Sequence, residues 1–417
     1  MNPRNVLRGS NAWLSAPSVL PRLQRLSIIY GVLYFLLVFT LTWVATDLNY
    51  GSSGVVGGDF LAFYTAGDMT LQGQALDAYR FDEFDAALQT RVANEHLGMM
   101  WQYPPLMFFL VGMLALMPYK VALWVWIAGT TVVFVLALRR ILRLISPEQS
   151  ERHMAMLLLV ASPLCLMVMI SGQISLLTAA LLMIAAFRPK RDWLLAGLAA
   201  GLLTVKPQLG VLLPLAYIFA GAWRAFGVAA AVAILLHSFS ILVFGPESLE
   251  AFLNAIVRLQ SDVAGSGTHT PPENMTTLFG QLRFWEVPAA LAMPLHVVLS
   301  LFVLISVTVS WWRFGGDEDR ALFLAAITGA GAILVTPYAY AYEMAALTPA
   351  ALWLAFDSRR FRNVSIVLLA AASGLLILRQ SLPLDALIQI PFLISVLAFI
   401  SLLFEANRRP VPASIAG

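Results

Sequence analysis

Charge is scarce in this chain: 12% of its residues are Asp, Glu, Lys or Arg, about half the share that soluble globular proteins carry. So little charge excludes a water-solvated surface over most of the molecule. Cysteine is nearly absent, and Cys165 alone inside an apolar stretch excludes a disulfide framework and a thiolate metal site; it reads as a small core residue. Histidine is also rare, and His237 and His296, each isolated in an apolar stretch, read as hydrogen-bonded packing residues. No pair of histidines has metal-ligand spacing, and no glycine-rich dinucleotide fingerprint follows a strand-like segment. The net charge of +3 comes from arginines near the ends of apolar runs, which speaks to topology and lipid headgroups and gives nucleic-acid binding no support.

What the chain has instead is apolar length. Sixty per cent of residues are hydrophobic, and the long runs from Leu26 to Phe404 approach or exceed the roughly 17–20 residues that a helix needs to cross the hydrocarbon layer. A closed barrel would show short alternating segments, so the expected class is all-α, a polytopic transmembrane helical protein. The first run, 26–44, follows Arg4, Arg8, Arg22 and Arg25; it is longer than a signal-peptide core and is expected to stay uncleaved.

Basic loops mark the cytoplasmic side. They are the N-terminus, Arg139-Arg140 with Arg143 and Arg152, Arg188 to Arg191, Arg359-Arg360 with Arg362, and Arg408-Arg409. The segment between the first two carries Asp47, Asp59, Asp68, Asp77, Asp82, Glu83, Asp85 and Glu95 against Arg80 and Arg91, and is read as an extracytoplasmic loop over 46–118. Keeping Arg139 inside requires that one of the apolar runs 106–116 and 121–138 does not cross. The first, short and headed by Pro104-Pro105, is read as a half-membrane helix lining a protein-walled cavity. Crossings are then expected near 26–45, 119–140, 153–170, 173–187, 191–205, 207–221, 223–244, 289–312, 320–336, 339–356, 362–378 and 386–404, about twelve in all. Gly245-Pro246 stops a helix and opens a second extracytoplasmic loop, 245–288. The whole of 1–417 is expected to form a single integral membrane domain with both termini in the cytoplasm.

Polar residues gather on the outer side. Gly57-Gly58-Asp59-Phe60 leads into an apolar and aromatic run at helical spacing, read as an amphipathic helix in the interface; by local chemistry alone Asp59 is a natural N-cap. A second helix is expected over 81–97, with Asp82, Glu83 and Asp85 as its solvated first turn. Trp101-Gln102-Tyr103-Pro104-Pro105 reads as an aromatic belt and helix start or as part of a site. Gln173, in Ser171-Gly172-Gln173, either satisfies backbone groups or contacts a ligand. Lys206, in Thr204-Val205-Lys206-Pro207-Gln208, runs against the inside bias of the other basic residues, so it either snorkels to lipid phosphate or has a partner or ligand. The later loop holds Asn274, which heads a formal glycosylation sequon, and Arg283. Finally, Thr336-Pro337-Tyr338-Ala339-Tyr340-Ala341-Tyr342-Glu343 brings a carboxylate into an apolar segment, a functional-site signal by default.

Taken in order, Gly58-Asp59-Phe60, Tyr103-Pro104-Pro105, Gly172-Gln173, Lys206-Pro207, Asn274, Pro337 and Tyr342-Glu343 make the chain resemble glycosyltransferase family 87. These are bacterial membrane glycosyltransferases of GT-C type, among them polyprenyl-phosphate-mannose-dependent mannosyltransferases. Some members carry histidines where Tyr342 and Glu343 stand and others a tyrosine followed by an aspartate; this chain is nearer to the second group. The resemblance implies a hexosyltransferase that moves a sugar, mannose first in expectation, from a polyprenyl-phosphate donor to a lipid or glycan acceptor with inversion. It carries the role of catalytic base onto Asp59. Tyr103, Gln173, Lys206, Gln208, Asn274, Arg283, Tyr342 and Glu343 are the expected substrate-binding residues, with Lys206, then Arg283 and Gln173, facing the leaving phosphate. No metal or cofactor is expected, and the missing dinucleotide fingerprint fits a lipid donor. The expected location is the bacterial inner membrane, in contact with its lipids, with the site on the extracytoplasmic side. The main competing reading is a polytopic transporter or lipid flippase, which would place its polar site near the midplane between repeats; a polymer ligase or noncatalytic assembly subunit is a third. A polar constellation on one face favours an enzyme.

Overall fold

The computed structural model describes residues 19–44, 48, 55–92, 97–264, 275–356 and 390–406. Among them the chain is helical throughout, and the single β feature is an isolated antiparallel bridge between Met275 and Tyr340. In chain order the helices are α1 (Val19–Val44), α2 (Phe60–Leu71), α3 (Phe81–Gln89), α4 (Met107–Ala115), α5 (Tyr119–Ile145) and α6 (Gln149–Val160). There follow α7 (Pro163–Ile170), α8 (Ser175–Ala186), α9 (Trp193–Leu202), α10 (Pro207–Gly210), α11 (Leu213–Ala220) and α12 (Trp223–Phe244). The remainder are α13 (Glu247–Ala264), α14 (Leu278–Phe284), α15 (Ala289–Phe314), α16 (Ala321–Val335), α17 (Thr348–Phe356) and α18 (Ile390–Ala406).

Solvent preference is written on the outside of this bundle. Along α12 the buried residues are Ala225 and Ser240, while Ile234, Leu235, Phe239, Leu242 and Val243 are each more than half exposed. On α15, Ile305 and Trp312 are exposed to 61% and 71%. Contiguous apolar surface of this kind is not left in water, so the protein is integral to a membrane. Three helices, α5, α12 and α15, are long and apolar enough to cross, and α6 with α7, bent by 44° at their junction, makes a fourth if counted as one span. The other segments expected to cross up to residue 356 are helical but shorter or less apolar: α1, α8, α9 with its 3-10 extension Leu203–Val205, α10 with α11, α16, and the 3-10 segment Ala341–Leu347 with α17. The expected crossing at 362–378 lies outside the described residues, as do the basic residues at 359–362 and 408–409.

At the centre stands α16, buried at every residue from Ala321 to Leu334 and packed against α8, α15, α17 and α18. Its small residues admit close neighbours. Gly329 in particular leaves room for the carbonyl of Ala346, so the 3-10 segment Ala341–Leu347 lies directly against α16 and its Glu343 is buried.

The segment between α1 and α5 departs from expectation in three ways. Helix α2 is not laid flat with one wet face: Phe60, Leu61, Phe63, Thr65, Ala66, Gly67 and Met69 are all buried, because α4 packs across it. Helix α3 ends at Gln89 rather than near 97, residues 93–96 being outside the description. Asp85, expected in solvent, is buried and accepts a hydrogen bond from Gln89 Nε2 at 2.6 Å. The half-membrane segment forms α4, nine residues long and so about 14 Å in rise, well short of a bilayer. Gly245 ends α12, and the described residues of the segment that follows form α13 and α14. Cys165 is buried in α7, and His296 Nε2 lies 3.2 Å from the Val335 carbonyl, both as expected of packing residues.

Candidate active site

Backbone geometry places Asp59 before its chemistry is considered. Gly57 and Gly58 have φ of +80° and +50°, a left-handed pair that glycine adopts without strain. The turn brings the Asp59 amide to the Ser171 carbonyl at 2.8 Å. From the other side, Gly172, at φ +59°, offers its carbonyl to Trp126 Nε1 at 2.8 Å, while Tyr119 donates its hydroxyl to the Val56 carbonyl at 2.5 Å. Two tight turns, one before α2 and one between α7 and α8, are thus clamped together at the head of α5.

Asp59 occupies the N-cap position of α2 but its side chain caps nothing. Its Oδ2 instead accepts from Gln173 Nε2 at 2.5 Å. The orientation of that amide is settled by its neighbours: Gln173 Oε1 accepts from the Ile174 amide at 3.2 Å and from the Tyr103 hydroxyl at 3.3 Å, which leaves only the amide nitrogen to face the carboxylate. Burial pushes the Asp59 carboxyl above the usual aspartate range, against the hydrogen bond from Gln173 and the charge of Lys206, which act to lower it. The result is a carboxylate more basic than an exposed one. Burial also holds the Tyr103 phenol up to about 12, so it remains a hydrogen-bond donor.

Lys206 sits between the 3-10 turn Leu203–Val205 and an α-helical turn, where Pro207 starts α10. It is buried, and its Nζ lies 2.5 Å from Glu343 Oε1. The ammonium also faces the rings of Tyr103 and Tyr342 at 5.9 and 5.4 Å from their centroids, a cation–π arrangement. Burial acts to lower the Lys206 pKa, but the adjacent Glu343 charge opposes it and the net direction is upward; the lysine is a permanent cation. Glu343 is carried to this point by the 3-10 segment, which the stretch leading into α14 ties in place. The Thr276 amide donates to the Ala339 carbonyl at 2.7 Å, and the Thr277 hydroxyl to the Pro337 carbonyl at 2.7 Å.

These residues open onto one cavity of about 1050 Å3. Asp59, Tyr103, Gln173, Lys206, Gln208, Tyr342 and Glu343 all line it, and Asp59, Lys206 and Glu343 are the charged members of its wall among the described residues. The opposite wall is apolar, from Phe252, Leu253, Ile256 and Leu259 of α13. That wall is absent from the sequence-based expectations, although the spacing of those four residues is the signal of an apolar helix face. Arg283 is not among the described residues that line the cavity: it stands in the last turn of α14 and donates to the Val287 carbonyl at 3.0 Å. A cation in the last turn of a helix is favoured there by the helix dipole. Asn274 lies outside the described residues.

The cavity thus joins two carboxylates, one of them paired with its single cation, to tyrosine side chains and an apolar wall from α13. The family model for glycosyltransferase family 87 matches residues 101–337, more than half of the chain. No curated protein and no solved structure matches it.

Proposed function

Given that this chain belongs to glycosyltransferase family 87, and so is a membrane glycosyltransferase, we propose that it moves a hexose from a polyprenyl-phosphate donor to a lipid or glycan acceptor, with mannose as the first candidate sugar. The observation that carries this reading is Asp59: a partly buried carboxylate of raised pKa, aligned by Gln173 instead of capping its helix, in one cavity with Lys206.

In the proposed reaction Asp59 Oδ takes the proton of an acceptor hydroxyl as that oxygen attacks the anomeric carbon. The new C–O bond forms as the bond from the anomeric carbon to the phosphate oxygen breaks, with inversion, and the electron pair leaves with polyprenyl phosphate. Lys206 stabilises the departing phosphate, and the apolar wall of α13 takes the start of the isoprenoid chain. The fold is assigned to the GT-C type with about twelve crossings, and the cavity to the extracytoplasmic face of a bacterial inner membrane. The polarity of the helix ends supports that placement: the cavity lies at the Tyr119 end of α5, while Arg140 near the other end pairs with Asp192 at 2.7 Å in the basic, inside-type loops.

The test is transfer from radiolabelled polyprenyl-phosphate-mannose and its glucose analogue by the purified protein in lipid, with a crude lipid extract of source cells as acceptor. A labelled lipid product from either donor supports the reading and names the sugar. Donor left intact in both reactions, with donor redistributed across proteoliposome leaflets, would replace the enzyme by a flippase.

A further inference from the structure

This inference rests on the lipid-donor reading and concerns a residue that the reaction above leaves without a task. Glu343 is buried in the cavity wall. Its Oε1 is taken by Lys206 at 2.5 Å, but its Oε2 is equally buried and has no hydrogen-bond partner. Buried polar atoms are almost always satisfied, and an acceptor without a partner on a residue that lines a cavity points to a donor that arrives with a ligand, the wall shifting to admit it. The surroundings narrow the ligand's chemistry. Tyr340 and Tyr342 stack at 5.5 Å with planes 25° apart, and Tyr338 also faces the cavity. An acceptor carboxylate, a donor ammonium and aromatic faces together match the hydroxyls and C–H faces of a sugar.

Which hydroxyl follows from adjacency. If Lys206 holds the phosphate, a group bound to Glu343, whose other oxygen is 2.5 Å from that ammonium, must lie next to the phosphate in the substrate. In a glycosyl phosphate the hydroxyl nearest the phosphate is the one on C2. We infer that Glu343 Oε2 accepts a hydrogen bond from the C2 hydroxyl of the donor sugar, making Glu343 the residue that reads that hydroxyl and strengthens its hold in the transition state. The strengthening has a physical cause: as the C1–phosphate bond breaks, C1 becomes electron-poor and the hydroxyl on C2 becomes a better donor. Epimers at C2, such as mannose and glucose, point this hydroxyl in different directions, so the contact also discriminates between them.

The experiment compares wild type with Glu343→Gln on the preferred donor and on its 2-deoxy analogue, and measures binding of bare polyprenyl phosphate to both proteins. In the variant the amide oxygen stays with Lys206, and a donor NH2 replaces the acceptor at Oε2. The wild type is expected to turn over the 2-deoxy donor about 10- to 100-fold more slowly than the full donor, the range of one charged hydrogen bond. Glu343→Gln should lose a similar factor on the full donor and little more on the 2-deoxy donor, with bare polyprenyl phosphate bound at least as tightly as by the wild type, because the Lys206 ammonium is no longer neutralised by a carboxylate. Equal slowing of both donors, or weaker binding of bare polyprenyl phosphate, would reduce Glu343 to a support for Lys206 and overturn the inference alone. A wild type that neither binds bare polyprenyl phosphate nor transfers sugar overturns the lipid-donor reading, and this inference with it.

Discussion

Asp59 stands where an aspartate ordinarily caps a helix, and the difference between a cap and a base is one hydrogen bond. Its carboxylate reaches Gln173, not the first amides of α2. A base works deprotonated, so turnover should fall as pH drops through the Asp59 pKa, and burial sets that limb above the ordinary aspartate range. Gln173 acts in the opposite direction, favouring the charged form. Gln173→Leu is therefore expected to move the acid limb of the pH–rate profile to still higher pH and to lower the plateau rate. A limb that stays in place would mean that Asp59 is not the group titrating. The place of Asp59 and Lys206 in the cavity was legible in the sequence, the first from its motif and the second because a lysine set between two apolar runs calls for a partner or a ligand. Their partners were less so: nothing local in sequence says that Gln173, distant in sequence by 114 positions, supplies the alignment, or that Arg283 closes its own helix.

Turns and helix ends hold this geometry. Gly172 has φ +59°, and a Cβ there would meet the Gly57 carbonyl oxygen and the Phe60 Cβ at 2.5 Å. Gly172→Ala should cost about 1–2 kcal/mol from the left-handed backbone alone, with more from the clash, and should push the two turns apart. The expected readout is a lower melting temperature in detergent together with a larger fractional loss of transfer. An alanine variant of wild-type stability and rate would show that the clamp is not needed. Thr277 does two jobs, accepting from the Gly280 amide at 3.1 Å as the cap of α14 and donating to the Pro337 carbonyl at 2.7 Å. Thr277→Val should destabilise by about 1–2 kcal/mol and loosen the segment that carries Glu343, which thermal melts and donor-dependent rates would detect. Periodicity located most helices, since apolar runs separated by Gly, Pro and Arg mark their ends. It misread Asp85, because a carboxylate's sequence position says nothing of the neighbour that will cover it.

Exposed leucines, isoleucines and tryptophans on α12 and α15 fix the protein's solvent as lipid. The inside–outside assignment, by contrast, follows from charge bias and has its own test. On a Cys165→Ala background, Gln102→Cys and Gln260→Cys should react with a membrane-impermeant maleimide in intact spheroplasts. Arg139→Cys and Lys190→Cys should react only after permeabilisation. The reverse pattern would put the cavity in the cytoplasm and remove the case for an extracytoplasmic donor site. Overall class and the ordered motifs were legible because lipid demands long apolar helices and the motifs stand at their ends. The cavity's second wall was not, since α13 comes to face Asp59 only through the packing of the folded bundle.

The proposed reaction turns on Asp59 as the base in sugar transfer from a lipid phosphate. Transfer by wild type and Asp59→Asn should be measured side by side in lipid, with binding of bare polyprenyl phosphate as the check that both are folded. The expected result is full binding by both proteins and transfer lowered by about 100-fold or more in the variant, the scale of a lost general base. Equal transfer by the two proteins would contradict it.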